Sequence, residues 1–480
     1  MPRLSFLNNE KVDLHSTQSI LFHLGGVAIR NSLPGPSVRK FLLEQKPKGR
    51  ILLLSIGKAA EEMASAAYEI LQSQIFGGII LTKYGYTSGK KFPPLEILEA
   101  GHPIPDTNSI LGGKKILELC SNLREDDIVL ILLSGGGSAL MEVPESGLNL
   151  EDLIVWNSKL ISCGADIQEI NSVRTLLSSI KGGGLLTKIL PSKSITLILS
   201  DVIGDDLSKV ASGPTIPSEI EKNSILRIFK QYNLPLDPKI ETILHKKTEQ
   251  SIKISNQKIK SKNFSAEYKI DPNKNSVHCI GNITQALDAV QKECINLNIP
   301  VLLLTSSLNC EAKEAGFFLG EIAKENLKNK NSPLLILCGG ETTVTHDGSG
   351  KGGRNQELAL AFSKRISGCQ GITLFSLATD GSDGPTDAAG AIVDGTTWKK
   401  IYRNKDANLA LKTHNSYEVL AQVNSLVFYG CDRNQRKRHS IFIDYYILKI
   451  FSYSIADVSI YLVFDSSFFN DKNFLLKTLV

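Results

Sequence analysis

The sequence lacks the cysteine spacing that a disulfide framework or a zinc site needs: it has 8 cysteines in 480 residues and no C-x-x-C pair. Such cysteines read as small core residues in a reducing compartment. Leader features are absent as well. Residues 1–7 carry one basic side chain and no apolar stretch of signal-peptide length, and Glu10 and Asp13 come early for a transit peptide. The cytosol is the expected location, with the mitochondrion as the alternative.

The common nucleotide motifs are also missing. In Ser134-Gly135-Gly136-Gly137-Ser138-Ala139-Leu140, Leu140 stands where G-x-G-x-x-G requires Gly or Ala. Gly57-Lys58 and Gly350-Lys351 lack the Ser or Thr of a Walker loop, and no H-R-D or D-F-G set is present. A nucleophile elbow and a Ser-His-Asp order are missing too.

Charge is nearly balanced, at +5 overall. Lys246, Lys247, Lys253, Lys258, Lys260, Lys262, Lys269 and Lys274 supply much of the excess from one polar stretch without interleaved aromatics. That stretch reads as a solvated linker, and no nucleic-acid partner is expected. Residues 440–464 are apolar, but Asp444, Lys449 and Asp457 interrupt them. Each central charge costs about 2.5–3.5 kcal/mol on insertion scales, so no membrane anchor is expected.

What is present is an ordinary globular composition, 42% hydrophobic and 21% charged, in a chain long enough for two or three domains. Apolar runs ending in Gly, Ser or Asp alternate with segments of helical spacing, the pattern of an α/β protein with a mostly parallel sheet. Strands are expected at 51–57, 78–82, 127–133, 194–200, 277–281, 301–306, 334–339 and 372–379. Helices are expected at 58–72, 108–122, 150–163, 284–297, 311–328 and 354–364. Four stretches divide the chain: a domain over 16–245, a connector over 246–276, a second domain over 277–426, and a basic, aromatic-rich tail over 427–480.

Ligands of open α/β sheets bind at the carboxyl ends of strands. The loop 134–140 follows one such end, and its glycines and hydroxyls suit a phosphate or carboxylate cradle; a plain flexible turn is the alternative. The segments around Asp201-Val202-Ile203-Gly204-Asp205-Asp206 and Asp380-Gly381-Ser382-Asp383 pack carboxylates densely enough for a Mg²⁺ site, although Asp and Gly also favour ordinary turns. Lys58 and Arg354 each stand at a helix start, where a basic group opposes the helix dipole and a compensating anion is expected. Asn171, Arg174 and Lys181, with Gly213 and Glu341-Thr342 and Asn355, supply further donors and turns. His102 in Gly101-His102-Pro103-Ile104-Pro105 fits either a ligand contact or a structural hydrogen bond.

Taken in order, Ser55-Ile56-Gly57-Lys58-Ala59-Ala60, Gly101-His102-Pro103-Ile104-Pro105-Asp106, the 134–140 loop, 171–184, 200–215, Gly339-Gly340-Glu341-Thr342, 352–357 and 379–387 resemble the glycerate kinases of the MOFRL type, also called glycerate 2-kinases. The resemblance runs over about 21–424. It implies a larger N-terminal Rossmann-like domain with a mostly parallel sheet, a C-terminal MOFRL α/β domain, and a cleft between them. It further implies transfer of the γ-phosphoryl of ATP to D-glycerate with Mg²⁺, giving 2-phosphoglycerate. The family's essential lysine and arginine correspond to Lys58 and Arg354.

On this reading Lys58, Arg354 and Asp201 are the catalytic candidates. Ser134, Gly135, Gly136, Gly137, Ser138, Asn171, Arg174, Lys181, Gly213, Glu341 and Asn355 bind substrate or nucleotide, and Asp201 and Asp380 hold the metal. The partners are D-glycerate and ATP. The departure lies after Asn415-Ser416-Tyr417, where the family has a T-G-P-T-G-T-N-V-type loop and a last strand. The tail matches neither, which leaves open a catalytically impaired descendant that still binds nucleotide or glycerate.

Overall fold

In the computed structural model, the described residues are 12–200, 206–218, 220–255, 274–328, 334–345, 350–379, 381–402, 406–429, 441–443 and 459–465. The chain forms two compact units, one of Pro34–Ile280 and one of Met1–Leu33 with Gly281–Val480.

The first unit is built on a six-stranded sheet. Its strands are β1 (Ile51–Ile56), β2 (Ile75–Lys83), β3 (Glu96–Ala100), β4 (Ile128–Leu133), β5 (Lys193–Leu199) and β6 (Asn275–Gly281). Their spatial order is β3-β2-β1-β4-β5-β6. The pairs β3–β2, β2–β1, β1–β4 and β4–β5 are all parallel. β1 (ILLLSI) and β4 (IVLILL) are buried at every residue, as expected for central parallel strands covered on both faces. This is the doubly wound order, in which the chain leaves β1 toward β2 and later returns on the other side to β4. The crevice beyond the carboxyl ends of β1 and β4 is therefore the topological switch point.

A satellite core forms in the same unit where Trp156, Leu160, Val173, Leu176, Ile228, Phe229 and Ile240 pack together from four helices. Lys247 lies on the helix Pro238–Ser255, which contributes Ile240 to this cluster. Its ammonium donates to the carbonyls of Thr175 at 2.8 Å and Ser178 at 2.6 Å, at the end of the helix Ile167–Leu177, and pairs with Glu145 at 3.0 Å. Burial lowers its pKa, against the opposing effect of Glu145. The expected solvated linker is thus corrected at its start: residues 246 and 247 continue a helix, and although Lys246 is exposed, Lys247 is turned inward, where its cation offsets a helix C-terminus. At the far end Lys274 pairs with Glu125, and β6 joins the first unit's sheet instead of opening the second domain.

The second unit carries a seven-stranded mixed sheet. Its strands are β7 (Val301–Leu308), β8 (Leu334–Gly340), β9 (Ile372–Ala378), β10 (Gly390–Asp394), β11 (Leu426–Tyr429), β12 (Ile441–Ile443) and β13 (Ser459–Asp465), in the order β12-β11-β10-β9-β13-β8-β7. β13 runs antiparallel between β8 and β9, with Ser459 opposite Gly340 and Ala378. Ile460, Tyr461, Leu462, Val463 and Phe464 are all buried. The expectation that the tail lacks a last strand is therefore overturned: a short apolar run inside it occupies the middle of the sheet, where both neighbours satisfy its backbone groups. The segment in which the expected loop would fall, 430–440 and 444–458, lies outside the described residues.

The helix Thr17–Ser32 also belongs to this second unit, although the expected boundaries placed residue 16 onward in the first. Its apolar face carries Ile20, Leu21, Phe22, Leu24 and Ala28, and His23 bonds Glu293 at 2.6 Å on the helix Ile283–Asn296. Among the described residues, no helix is long and apolar enough to cross a membrane.

Candidate active site

The switch point of the first unit is held together by backbone bonds between two loops. After β1, the Lys58 N–H donates to the Gly135 carbonyl at 2.9 Å, and the Gly57 N–H to Leu81 at 3.1 Å. After β4, Ser134 donates its N–H to Ile56 at 3.0 Å, while its buried hydroxyl accepts from the Ala59 N–H at 3.0 Å. Glycine is needed at position 57. Its φ is +128°, and a Cβ there would lie 2.1 Å from Ser134 Oγ and 2.6 Å from the Ser134 carbonyl. At Gly136, with φ of +83°, a Cβ would meet the His102 ring at 3.0 Å and the Lys58 stem at 3.3 Å. Lys58, Gly136 and His102 are thus immediate neighbours.

A third segment backs this loop. Ala211, Ser212 and Gly213 all have left-handed φ values of 51°, 58° and 60°. Non-glycine residues hold such conformations at a cost of about 1–3 kcal/mol each, so surrounding contacts must impose them. Those contacts are the Gly182 N–H to Ser212 at 2.9 Å, the Gly183 N–H to Gly213 at 2.8 Å, and a 2.8 Å bond between the Ser138 and Ser212 hydroxyls. No local sequence signal marks Ala211.

Ser138, Arg174 and Lys181 come together around a cavity of about 40 Å³, with Glu142, Asn157 and the loop prolines Pro103 and Pro105. That volume suits a water or so, not a substrate. Lys181 is buried and paired with Glu142, which also accepts from the Ser178 hydroxyl. Burial lowers its pKa, while Glu142 opposes the shift. Lys181, expected to bind ligand, therefore has its charge satisfied inside the protein. The Arg174 guanidinium donates from Nε to Asn157 at 2.9 Å, and burial lowers its pKa too. Asn171 instead lines a second cavity of about 310 Å³ with Gln168, Thr175, Lys209, Ser212 and Ser218.

In the second unit the helix Arg354–Arg365 begins at the carboxyl ends of β8 and β9. Its N-terminal N–H groups are taken by a carboxylate of the chain: Asp383 accepts from Asn355 N at 3.0 Å and Gln356 N at 2.9 Å. Gly353 allows the approach, since a Cβ there would sit 2.3 Å from Asp383 Cγ. Burial pushes the Asp383 pKa up, and these N–H donors and the nearby Arg354 charge offset that rise only in part. Arg354 itself pairs with Glu341, Nη1 to Oε1 at 2.8 Å, and donates from Nε to Ser459 at 3.3 Å. The anion expected opposite this basic helix start is thus supplied at least in part by Glu341 and Asp383. Asn355 is wholly buried and bonds Asp383, Ser376 and Ser459. It holds this helix start together from within, where it was expected to contact a ligand directly.

Asp201 and Asp380 lie outside the described residues. Among the described residues, no three His, Cys, Asp or Glu side chains gather to hold a metal ion. In the sequence Asp383 reads only as one carboxylate of a metal-binding or turn segment, and neither Ser459, which bonds Arg354 and Asn355 in the second unit, nor Glu142, which pairs with Lys181 in the first, is singled out. Asp383 stood in an Asp-Gly turn, but nothing local shows that it caps a helix 27 residues away.

Comparison with known proteins adds independent findings. Residues 22–245 match a domain of unknown function, DUF4147, and residues 334–435 match the MOFRL family. The MOFRL match thus runs past residue 426, where a family counterpart was expected to end. The chain is 40% identical over 386 residues to D-glycerate 2-kinase of Thermotoga maritima, covering 79% of this chain and 87% of that one. It is 42% identical over 389 residues to glycerate 2-kinase of Pyrococcus horikoshii, covering 80% and 84%. A crystal structure of glycerate kinase from Thermotoga maritima superposes with a TM-score of 0.79 at 34% identity, over 93% of this chain and 99% of that one.

Proposed function

The chain belongs to the MOFRL-type glycerate kinase family, and from that premise we propose that it transfers the terminal phosphoryl group of ATP to D-glycerate, giving ADP and 2-phosphoglycerate. The observation that carries this reading is the switch point, where Lys58 is bonded through its backbone to the glycine loop that follows β4. Phosphoryl transfer needs positioning and charge neutralisation more than covalent chemistry by the protein. Lys58 supplies a point charge and the loop 134–138 supplies backbone donors beside it. Arg354 supplies a planar donor set for phosphate or carboxylate oxygens.

Mg²⁺ would arrive with ATP, and Asp201 and Asp380 are the proposed residues to meet it. Both lie outside the described residues. The reading of an impaired descendant rested partly on a missing last strand, and β13 removes that ground. The proposed compartment is the cytosol.

The test is ADP release by the full chain with Mg-ATP, with and without D-glycerate, and identification of the phosphorylated product. Glycerate-dependent release and 2-phosphoglycerate are expected, and Arg354→Ala should lower turnover by roughly 10³–10⁵. A folded chain that binds ATP and releases no ADP would overturn the proposal. Oxidation or reduction of a nicotinamide cofactor with the same hydroxy acid would replace it with a dehydrogenase.

A further inference from the structure

We propose that Ser459, delivered by the tail strand β13, is a positioning residue for Arg354, so that the last strand is a working part of the active site and not only of the sheet. The inference rests on the reading of Arg354 as a phosphate- or carboxylate-binding group.

The geometry begins with register. Ser459 is the first residue of β13 and lies opposite Gly340 of β8 and Ala378 of β9, at the end of the sheet where the helix Arg354–Arg365 starts. The Ser459 side chain has no exposed surface, so it cannot touch a substrate. Its hydroxyl accepts from Arg354 Nε at 3.3 Å and from Asn355 Nδ2 at 2.9 Å. Asn355 is itself fixed by Asp383 at 3.1 Å and by the Ser376 hydroxyl at 2.9 Å. Ser459 is therefore a rigid acceptor.

A guanidinium is planar, so two contacts in its plane set its orientation. One is Ser459 at Nε, from the tail. Another is Glu341 at Nη1, from the loop after β8. The two acceptors differ in chemistry. Glu341 is 40% exposed and charged, so it competes with an incoming anion for the same cation. Ser459 is neutral and buried, and can hold the plane throughout turnover without opposing phosphate charge. Two residues along the same strand, the Tyr461 hydroxyl bonds Thr342 at 3.0 Å, tying the tail to the residue that follows Glu341.

The experiment is steady-state kinetics of the full chain carrying Ser459→Ala, Ser459→Cys and Ser459→Thr, each also in an Arg354→Lys background. Ala deletes the acceptor, Cys fills the space with only a weak one, and Thr restores the hydroxyl at a strand position that tolerates β-branching. Near-UV circular dichroism and the thermal midpoint establish that each variant is folded; if Ala is not, Cys carries the test.

The expected result is a loss of about tenfold to hundredfold in kcat for Ala and Cys, and recovery to within about threefold for Thr. In the Arg354→Lys background, which has no Nε–H to place, the Ser459 substitutions should change kcat by less than about twofold. A purely structural serine would cost the same in both backgrounds, and that additivity would overturn the proposal. Wild-type kinetics for folded Ser459→Ala or Ser459→Cys, with Arg354→Ala inactive, would also overturn it while leaving the role of Arg354 intact. Full activity of Arg354→Ala would instead remove the reading on which the inference stands.

Discussion

The ring of Phe22 meets that of Phe375 edge-on, with centroids 5.3 Å apart and planes at 87°. The contact ties a helix near the start of the chain to β9 of the unit formed mostly by its second half. Both rings are essentially buried, and an aromatic pair of this kind adds about 0.5–1.5 kcal/mol beyond its burial.

Phe22→Ala should therefore destabilise the second unit by about 3–5 kcal/mol. Hydrogen exchange would locate the loss: amides of β9 and β13 should lose protection while those of β1 and β4 keep theirs. Gly25→Ala should act in the same place, since its Cβ would lie 2.5 Å from the Phe375 ring. Equal loss in both sheets would contradict the assignment of this helix to the second unit.

Gly57→Ala should separate folding from activity. The added methyl collides with Ser134 and the backbone φ of +128° disfavours any side chain, so the bonds that join Gly135 to Lys58 must shift. A displacement of about 1 Å at a catalytic group can cost 10²-fold, and a loss of that order in kcat/KM is expected from a chain that still folds. Unchanged kinetics would show that the latch between the two loops does not position Lys58.

Glu142→Gln should cost about 3–5 kcal/mol in a denaturant titration, because it leaves the buried Lys181 ammonium without its carboxylate. Replacing both, as Glu142→Gln with Lys181→Met, should recover much of that loss. If the single variant matched the wild type, Glu142 and Lys181 would not form a buried ion pair.

Asp106 gives a pH signature. Burial tends to raise its pKa, but the Tyr84 hydroxyl at 2.6 Å, with donors from Gly101 and Ser109, holds it below the ordinary value. A carboxyl depressed in the folded state stabilises above its unfolded pKa of about 3.9, and that stability fades as the pH falls through the lower folded value. The thermal midpoint of Asp106→Asn should thus lie below wild type by a constant amount near neutrality, and the gap should close in acid. A gap that widened in acid would reverse the sign.

Much of the architecture is legible in the residues alone. The eight expected strands all appear, β2 beginning three residues earlier than read and extending to Lys83. Runs such as 51–56 and 128–133 are apolar at nearly every position, and only a doubly covered strand or a buried helix of that length explains them. Glycine loops and basic residues at strand ends placed Arg354 at the first residue of its helix, whereas Lys58 stands in the turn just before the N-cap Ala59 of the helix Ala60–Leu71, because turn chemistry is local but exact helix ends are not. Edge strand β3, with only Ala100 fully buried, left too weak an apolar signal to be read.

The partners of those residues were another matter. Arg354 and Asn355 were legible as polar groups at a helix start, but Ser459, 105 and 104 residues away, was not legible as their acceptor. Lys247 looked solvated because the composition around it carries no sign of the carbonyls and carboxylate that it meets. By itself the sequence determined the α/β class, the strand runs and the loops that carry the charged groups, since periodicity and backbone preference act over a few residues. Only the tertiary structure decided that the tail strand enters between β8 and β9, that the first helix joins the second half, and which cations are held by the protein's own anions. Those are pairings between distant segments, whose energy exists only once the two surfaces meet.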